Sequence, residues 1–402
     1  MTAQERRSSA SLALIFALRM LGLFLVLPVF SLEARKYPGG DDPALVGMAM
    51  GIYGLTQGLL QLPFGAASDR FGRKRVMVIG LAIFAIGSAM AALAPTMAWL
   101  VAGRAVQGAG AISAAVTALL ADQTRDAVRT KAMAIVGASI GLVFSVSLVL
   151  SPLLNTLLGL SGMFALTCTL ALAGIAVVVW WVPAEPVKHA EQPVVSLSVS
   201  LAAVLRHPAL LRLYFGVFVL HAVQLAMWVA LPTLLVQAGL VKDHHWWVYL
   251  PAVLGSFVVM GATLFPLERR GYLRAVFLSA VGLIGLVQLG LLGIASSAPT
   301  VMELAVLLFV FFCGFNVLEA SQPSMASRLA PGTARGAALG MYNSLQSLGL
   351  FTGGALGGWL IKSAGPHALF STCAVAMLAW LVVAWPMQAP KASGAPGQAK
   401  AG

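Results

Sequence analysis

The sequence predicts an all-α membrane protein with twelve transmembrane helices in two pseudo-symmetric six-helix bundles. Three observations support this prediction: the composition, a series of long apolar segments, and a motif that recurs at matching places in the two halves. Of the 402 residues, 59% are hydrophobic and only 9% are charged, whereas a soluble chain has about 25% charged residues. A soluble protein this apolar could not cover its surface with polar groups, so most of the chain must face lipid.

Each membrane crossing needs about 20 mostly apolar residues. Segments of this kind, which we number as spans 1 to 12 in chain order, lie at 12–33, 44–66, 76–94, 97–121, 131–156, 161–182, 209–238, 245–266, 274–295, 300–327, 334–361 and 367–387. An even number of spans places both termini on the same side of the membrane.

The basic residues predict which side that is. Most of the 25 Lys and Arg residues fall in loops on one side, and only Arg35, Lys36, Lys242 and Lys362 fall on the other. Loops rich in Lys and Arg stay in the cytoplasm, so both termini are predicted to be cytoplasmic, in a multi-pass protein of a bacterial inner membrane. The net charge of +12 therefore reflects membrane orientation, and nucleic acid is not expected as a partner.

A polar connection after span 6 divides the chain into halves. We expect an N-terminal six-helix bundle at 1–182, a cytoplasmic linker at 183–208, a C-terminal six-helix bundle at 209–388 and a disordered tail at 389–402. Segment 69–72 follows span 2, and the similar segment 268–271 follows span 8. Repeats of this kind occur in transporters that bind their substrate in a cavity between the halves.

The segment 65–75 after span 2 is rich in glycine and arginine. Gly65 would allow a close helix approach, and Gly72 a tight turn. Asp69 can receive the positive N-terminus of a neighbouring helix, for which the segment Pro331-Gly332-Thr333 is the candidate, and Arg73 can reach Asp122. Such contacts would clamp the halves in an outward-open state; the alternative is that the basic residues only enforce topology. The predicted gating residues are Gly65, Asp69, Arg70, Gly72, Arg73, Arg75 and Asp122.

Segment 65–75 resembles the signature between helices 2 and 3 of the major facilitator superfamily, which reads glycine, three residues, Asp-Arg, one residue and Gly-Arg-Lys/Arg. Segment 104–110 is similar to that family's helix 4 motif, and segments 18–22, 316–320 and 335–340 look like its YajR-type bacterial drug/proton antiporters. The resemblance implies a secondary transporter with the major facilitator fold. Members of that group often continue into a small cytoplasmic α+β domain; this sequence ends before it, so regulation by such a domain is not expected.

Three charged residues lie well inside predicted spans: Arg19 in span 1, Arg104 in span 4 and Glu319 in span 10. A buried arginine costs at least about 2.5–3.5 kcal/mol unless it faces a polar interior, so both arginines are expected to face the bundle, although Arg104 could instead snorkel to the outer interface. Glu319 is the expected counter-ion of Arg19. We interpret Glu319, Arg19 and Arg104 as candidates for proton coupling, with a permanent Arg19–Glu319 ion pair as the structural alternative.

Polar and aromatic side chains recur at helical spacing in spans 2, 7 and 11. A membrane helix keeps polar side chains away from lipid, so these stripes face either a cavity or neighbouring helices, and both alternatives are open. The mixture of rings with few charges suits an amphipathic substrate. The predicted substrate-binding residues are Tyr53, Gln57, His221, Gln224, Trp228, Asn316, Tyr342, Asn343 and Gln346.

These features predict proton-coupled efflux of small amphipathic compounds by a monomer in the lipid bilayer, with the substrate and protons as partners. The family's antiporter motif in helix 5, Gly-x-x-x-Gly-Pro, is matched by Gly137 and Gly141 but has Leu142 in place of proline. Proton-coupled uptake of a small metabolite is therefore the alternative, and a membrane sensor that transports nothing is a third. The sequence has no Walker-type nucleotide-binding loop, and no enzyme activity, cofactor or metal site is predicted.

Overall fold

The structure is a computed structural model that describes residues 1–185, 202–295, 299–330 and 335–387. The described part is almost entirely α-helical. The first half begins with α1 (Ala3–Glu33), α2 (Pro43–Phe71), α3 (Arg73–Ala92) and α4, which runs over Met97–Ala109 and continues as Ser113–Asp122. The second half begins with α7 (Pro208–Gln237), α8 (Trp246–Arg269), α9 (Leu273–Ile294) and α10 (Val301–Leu329).

Each half ends in one very long helix that is interrupted at a glycine. The helix Asp126–Ala176 contains Gly159 with φ 65°, and the helix Arg335–Ala384 contains Gly365 with φ 77°. A helix of 50 residues would be about 75 Å long, far more than the roughly 30 Å of hydrocarbon in a bilayer. We therefore divide them into α5 (126–158) and α6 (160–176), and into α11 (335–364) and α12 (366–384).

The predicted all-α membrane fold is confirmed. Ten helices of the described chain are long and apolar enough to cross a membrane. The two interrupted helices are among them, each divided at its glycine, and the count of twelve spans stays a prediction. The predicted tail 389–402, most of the linker 183–208 and the segment Pro331-Gly332-Thr333 lie outside the described residues.

Side-chain caps set where several helices begin. Thr2 caps α1 and Thr300 caps α10, each in a reciprocal pair of hydrogen bonds with a glutamate three residues later, Glu5 and Glu303. Asp42 caps α2, with its carboxylate accepting a hydrogen bond from the backbone N–H of Ala44 at 2.9 Å. These caps satisfy backbone N–H groups that have no partner inside the helix.

The two halves meet mainly where α2 packs along α11, and α1 and α5 also contact α7 and α8. We call the end of the bundle that carries Arg35, Lys36, Lys242 and Lys362 the outer end, following the predicted orientation, and the end that carries segment 65–75 the inner end. At the outer end, Glu33 pairs with Lys242 and Asp42 with Lys362, both across the halves at 2.7 Å. The halves are therefore in contact at the outer end.

Candidate functional site

Arg19 of α1 lies inside the N-terminal half with only 1% of its surface exposed. Its guanidinium donates hydrogen bonds to the hydroxyl of Tyr53 at 2.6 Å, to Ser113 Oγ at 3.2 Å and to Gln57 Oε1 at 3.4 Å. All three acceptors are neutral, and they belong to α2 and α4. The predicted Arg19–Glu319 ion pair is wrong for this structure, because the arginine points into its own half.

Arg104 also faces the interior, as predicted, and it does not snorkel outward. It is 1% exposed, and it donates to the backbone carbonyl of Ala49 at 3.2 Å and to Gln107 Oε1 at 2.7 Å. Gln107 in turn donates to Ser88 Oγ of α3 at 2.8 Å. The arginine thereby joins α4 to the backbone of α2, and carbonyl and amide oxygens replace water around its charge.

Glu319 of α10 lies against His221 of α7. Glu319 Oε1 is 3.0 Å from His221 Nε2, and the side chain of Glu319 is 32% exposed while that of His221 is 4% exposed. His221 Nδ1 lies 2.9 Å from the carbonyl oxygen of Val217. Because a carbonyl only accepts hydrogen bonds, Nδ1 is the donor in this contact, and Nε2 is the ring nitrogen that faces Glu319.

Gln346 of α11 completes this group, which we call the acid–histidine site (His221, Glu319 and Gln346). Its amide nitrogen lies 2.8 Å from His221 Nε2. An amide can turn by 180° and present either an N–H donor or a carbonyl acceptor at nearly the same position. Gln346 can therefore hydrogen-bond Nε2 whether or not that nitrogen carries a proton.

Several other predicted substrate-binding residues serve helix packing in this structure. Trp228 is 1% exposed and packs edge-on against Tyr249 with ring centroids 5.3 Å apart. Asn316 donates a hydrogen bond to Ser256 Oγ of α8 at 2.8 Å. Tyr53 and Gln57 are occupied by Arg19. Gln224 and Tyr342 are likewise buried, whereas Asn343 and Gln346 are half-buried.

Three phenylalanine rings connect the two halves. The ring of Phe24 in α1 lies 5.1 Å from that of Phe144 in α5, which lies 6.0 Å from that of Phe312 in α10. The rings of Phe311 and Phe315 continue this series in α10, stacked 5.6 Å apart. Phe315 lies 6.0 Å from the imidazole of His221. Phe311 and Phe312 are in edge contact at 5.6 Å, so a chain of ring contacts runs from the N-terminal half to the acid–histidine site. Phe311, Phe312 and Phe315 are buried, whereas Phe24 and Phe144 are half-buried.

The predicted Arg73–Asp122 contact is present at the inner end. Arg73 Nε lies 3.2 Å from Asp122 Oδ2, and another guanidinium nitrogen lies 2.6 Å from Asp69 Oδ1. Gly72 adopts φ 98° between α2 and α3, a conformation that favours glycine. A Cβ atom at Gly65 would lie 3.3 Å from that of Ala114, so α2 and α4 do approach closely there.

The other basic residues of segment 65–75 are less constrained. Arg70 and Arg75 are exposed, with the guanidinium of Arg70 lying 5.4 Å from the ring centroid of Phe71. The expected partner of Asp69, the helix start at Pro331-Gly332-Thr333, lies outside the described residues. A clamp that joins the halves at the inner end therefore stays a prediction.

Comparison with known proteins agrees with the motifs. Residues 12–317 and 267–402 match the family model of the Major Facilitator Superfamily. The chain belongs to this superfamily. As a superfamily member it is a multi-pass membrane transporter and not an enzyme, which confirms the resemblance drawn from segment 65–75.

Two relatives in the superfamily cover most of the chain. The Inner membrane transport protein YajR of Escherichia coli (strain K12) is 40% identical over 390 residues, which are 97% of this chain and 85% of YajR. The Multidrug resistance protein MdtH of Aeromonas salmonicida (strain A449) is 27% identical over 396 residues, 92% of this chain and 90% of MdtH. A crystal structure of an auto-inhibited POT family peptide transporter shares the fold, with a TM-score of 0.72 over 97% of this chain and 99% of that one at 14% identity.

The superfamily motifs did not identify three groups that the structure brings into the site. Ser113 accepts a hydrogen bond from Arg19, and Phe144 joins the chain of ring contacts. Glu185 accepts hydrogen bonds from the backbone N–H groups of Arg73 at 3.1 Å and Lys74 at 2.7 Å. Glu185 therefore caps the start of α3. The one sequence feature that pointed to Glu185 was an acidic side chain in the connection 183–208, which is predicted to lie on the same side of the membrane as the basic segment 65–75.

Proposed function

We propose that this transporter exports small amphipathic compounds in exchange for protons, and that the acid–histidine site carries the proton. The observation on which this proposal rests is the 3.0 Å separation of Glu319 Oε1 and His221 Nε2, with Glu319 32% exposed. Glu319 is a carboxylate deep in α10 whose side chain is not fully enclosed by the protein. An ionisable residue at such depth is a candidate for proton transfer.

The site suits this role because a carboxylate oxygen and an imidazole nitrogen face each other at a short distance. If Glu319 were ionised and His221 neutral, two electron pairs would face each other across 3.0 Å. One added proton removes this repulsion, either as a carboxylic acid that donates to Nε2 or as an imidazolium that donates to the carboxylate. The pair therefore offers one position for a shared proton, between Glu319 Oε1 and His221 Nε2.

The surroundings favour an amphipathic substrate. The half-buried rings of Phe24 and Phe144 lie 5.1 Å apart and offer apolar contact area with little directional bonding. The half-buried Asn343 and Gln346 supply polar contacts. MdtH, by its name, is a multidrug resistance protein, and this also favours export.

The proposed cycle links the proton to the movement of the halves. A proton taken up from outside at Glu319 favours the state that is closed at the outer end, and the substrate is carried out on the return. Proton-coupled uptake of a metabolite is the second candidate. The observation that favours it is Leu142, which stands in a helix where the antiporter motif has proline.

Glu319→Gln provides the test. In proteoliposomes with an imposed pH gradient and a panel of dyes and metabolites, we expect the variant to lose proton-driven flux and to keep counterflow exchange of substrate. Glu303→Gln is the matched control in the same helix, because glutamine preserves the capping pair with Thr300. Full proton-driven flux in Glu319→Gln would overturn the coupling role. In the parent protein, accumulation of substrate on the side to which protons flow would favour uptake over export.

A further inference from the structure

A groove opens at the surface of the C-terminal half, at the inner end of α12. It has a volume of about 350 Å³ and is lined by Leu381, Val382, Trp385 and Pro386. It shares no residue with the acid–histidine site. All four lining side chains are apolar or aromatic, so in a chain that spans the membrane this groove offers a surface for hydrocarbon.

Exposed apolar side chains continue from the groove along α12. Val375, Leu378, Val382 and Trp385 are between 62% and 66% exposed, and their spacing of three and four residues places them on one face of the helix. With a rise of about 1.5 Å per residue, this face is about 15 Å long, which is half of the roughly 30 Å of hydrocarbon in a bilayer. It therefore matches the depth of one leaflet, and one acyl chain can lie along it.

Arg274, at the start of α9, stands beside the groove. Its guanidinium carbon lies 5.7 Å from the ring centroid of Trp385, and it donates hydrogen bonds to the carbonyl oxygen of Met387 at 2.9 Å and to that of Trp385. These contacts use two of the five N–H groups of a guanidinium, and Arg274 stays exposed. The guanidinium is thus held in place next to the groove while it can still donate hydrogen bonds to a phosphate.

The connection between α8 and α9 adds positive charge next to Arg274. Arg269 and Arg270 are exposed. Glu268, the one acidic residue of segment 268–274, pairs with Arg328 at 2.7 Å. The arginines of this segment therefore keep a net positive charge. Basic groups beside apolar helix surfaces on the cytoplasmic side of a membrane protein are the pattern that binds anionic lipid headgroups.

We propose that Arg274 and the groove at the end of α12 bind an anionic phospholipid of the leaflet at the inner end, with its phosphate at Arg274 and an acyl chain along α12. A free phosphate would use only the arginine, and a neutral lipid only the groove. A zwitterionic lipid brings a positive group that the neighbouring arginines repel. All of these groups belong to the C-terminal half, so the proposal does not depend on Glu319.

Native mass spectrometry of the full chain in detergent measures the binding of single lipids. Phosphatidylglycerol and phosphatidylethanolamine with the same acyl chains are titrated separately. We expect the parent protein to bind phosphatidylglycerol more tightly, and Arg274→Gln to weaken that binding by about fivefold with little change for phosphatidylethanolamine.

Arg6→Gln is the matched control for charge, because it removes an exposed arginine at the inner end of the other half. Both lipids should bind to it as they bind to the parent protein. Equal binding of the two lipids by the parent protein would overturn the proposal. So would an equal effect in Arg6→Gln, because the arginines would then attract lipid only through the general surface charge.

Val382→Trp tests the groove and leaves every charge in place. The position is exposed, so the larger side chain fills the groove without entering the protein core. We expect phosphatidylglycerol to bind about fivefold more weakly or worse, because fewer methylene groups are buried. Val258→Trp, at a site 73% exposed in α8, is the control and should bind like the parent protein.

Three results of this second test would overturn the proposal. Unchanged binding in Val382→Trp would show that the groove holds no acyl chain. Displacement of phosphatidylglycerol by inorganic phosphate would place the ligand at the arginine alone. Dimers of the parent protein that dissociate in Val382→Trp would show that a second copy of the chain covers the groove.

Discussion

At the scale of single residues, buried side chains with many directional contacts tolerate little change. Arg104 uses its planar guanidinium to reach the carbonyl of Ala49 and the amide of Gln107 together. Lysine keeps the charge but offers one compact ammonium group. We expect Arg104→Lys to lower the free energy of unfolding by about 1–3 kcal/mol, measured as a lower melting temperature in detergent. Arg70→Lys, at an exposed position, is the control and should melt like the parent; equal melting of Arg104→Lys would contradict the prediction.

Trp228 illustrates a residue whose role changes once its surroundings are known. It was predicted to contact substrate, but it is 1% exposed and packs on Tyr249. We therefore expect Trp228→Ala to destabilise the protein by about 3–5 kcal/mol and to weaken all substrates alike. Melting temperature and a competition assay measure the two effects. Trp359→Ala, at a site 55% exposed, should cost far less, and a change in the relative affinities of substrates in Trp228→Ala would restore the original prediction.

At the scale of elements, ion pairs of one arginine stabilise the connection between α2 and α3. Arg73 links Asp69, four residues before it, to Asp122 at the end of α4. Asp69→Asn weakens this link at the inner end without touching the space between the halves. We expect slower turnover with unchanged substrate affinity, measured as initial flux and equilibrium binding. Asp41→Asn, in an exposed outer loop, serves as the control, and unchanged turnover in Asp69→Asn would count against the predicted clamp.

At the scale of the whole molecule, pH should act through the acid–histidine site and not through the Asp42–Lys362 pair that joins the halves at the outer end. The Lys362 ammonium holds the pKa of Asp42 below its usual range. The contribution of this pair is therefore complete above the usual carboxyl pKa of about 3.9 and is lost only as the pH falls through the lowered value. The pair stays formed between about pH 5 and pH 8, the range in which an unperturbed histidine titrates.

The two groups can thus be separated by one titration of the distance across the outer end. Spin labels at Leu93→Cys and Val241→Cys, two exposed positions, measure this distance in a protein whose three native cysteines are replaced by alanine. Because a proton at Glu319 is proposed to favour the state that is closed at the outer end, lowering the pH across that range should shorten the outer distances in the parent protein. In Glu319→Gln the distances should not change with pH, whereas in Asp42→Asn they should be longer throughout but still respond. A pH response that survives in Glu319→Gln would place the proton elsewhere.

The sequence by itself determined that the chain forms membrane-spanning helices, and it determined the local motif at 65–75. Length and hydrophobicity decide whether a segment crosses a membrane, and caps such as Asp42 act on backbone within a few residues. The Arg73–Asp122 pair was predictable for the same reason, since both residues lie at helix ends on the same side of the membrane.

Only the tertiary structure decided which buried residues meet. A rise of about 1.5 Å per residue gives the depth of a side chain in the membrane, and depth alone made Arg19 and Glu319 plausible partners. Their directions around the helix axes depend on how α1 packs on α2 and α4, and α10 on α7 and α11. That packing joins Arg19 to Tyr53 within one half and Glu319 to His221 within the other. It also sets the glycine contact of α2 with α11. Contacts between distant segments follow from the fit of whole helix surfaces, which the sequence of one helix does not contain.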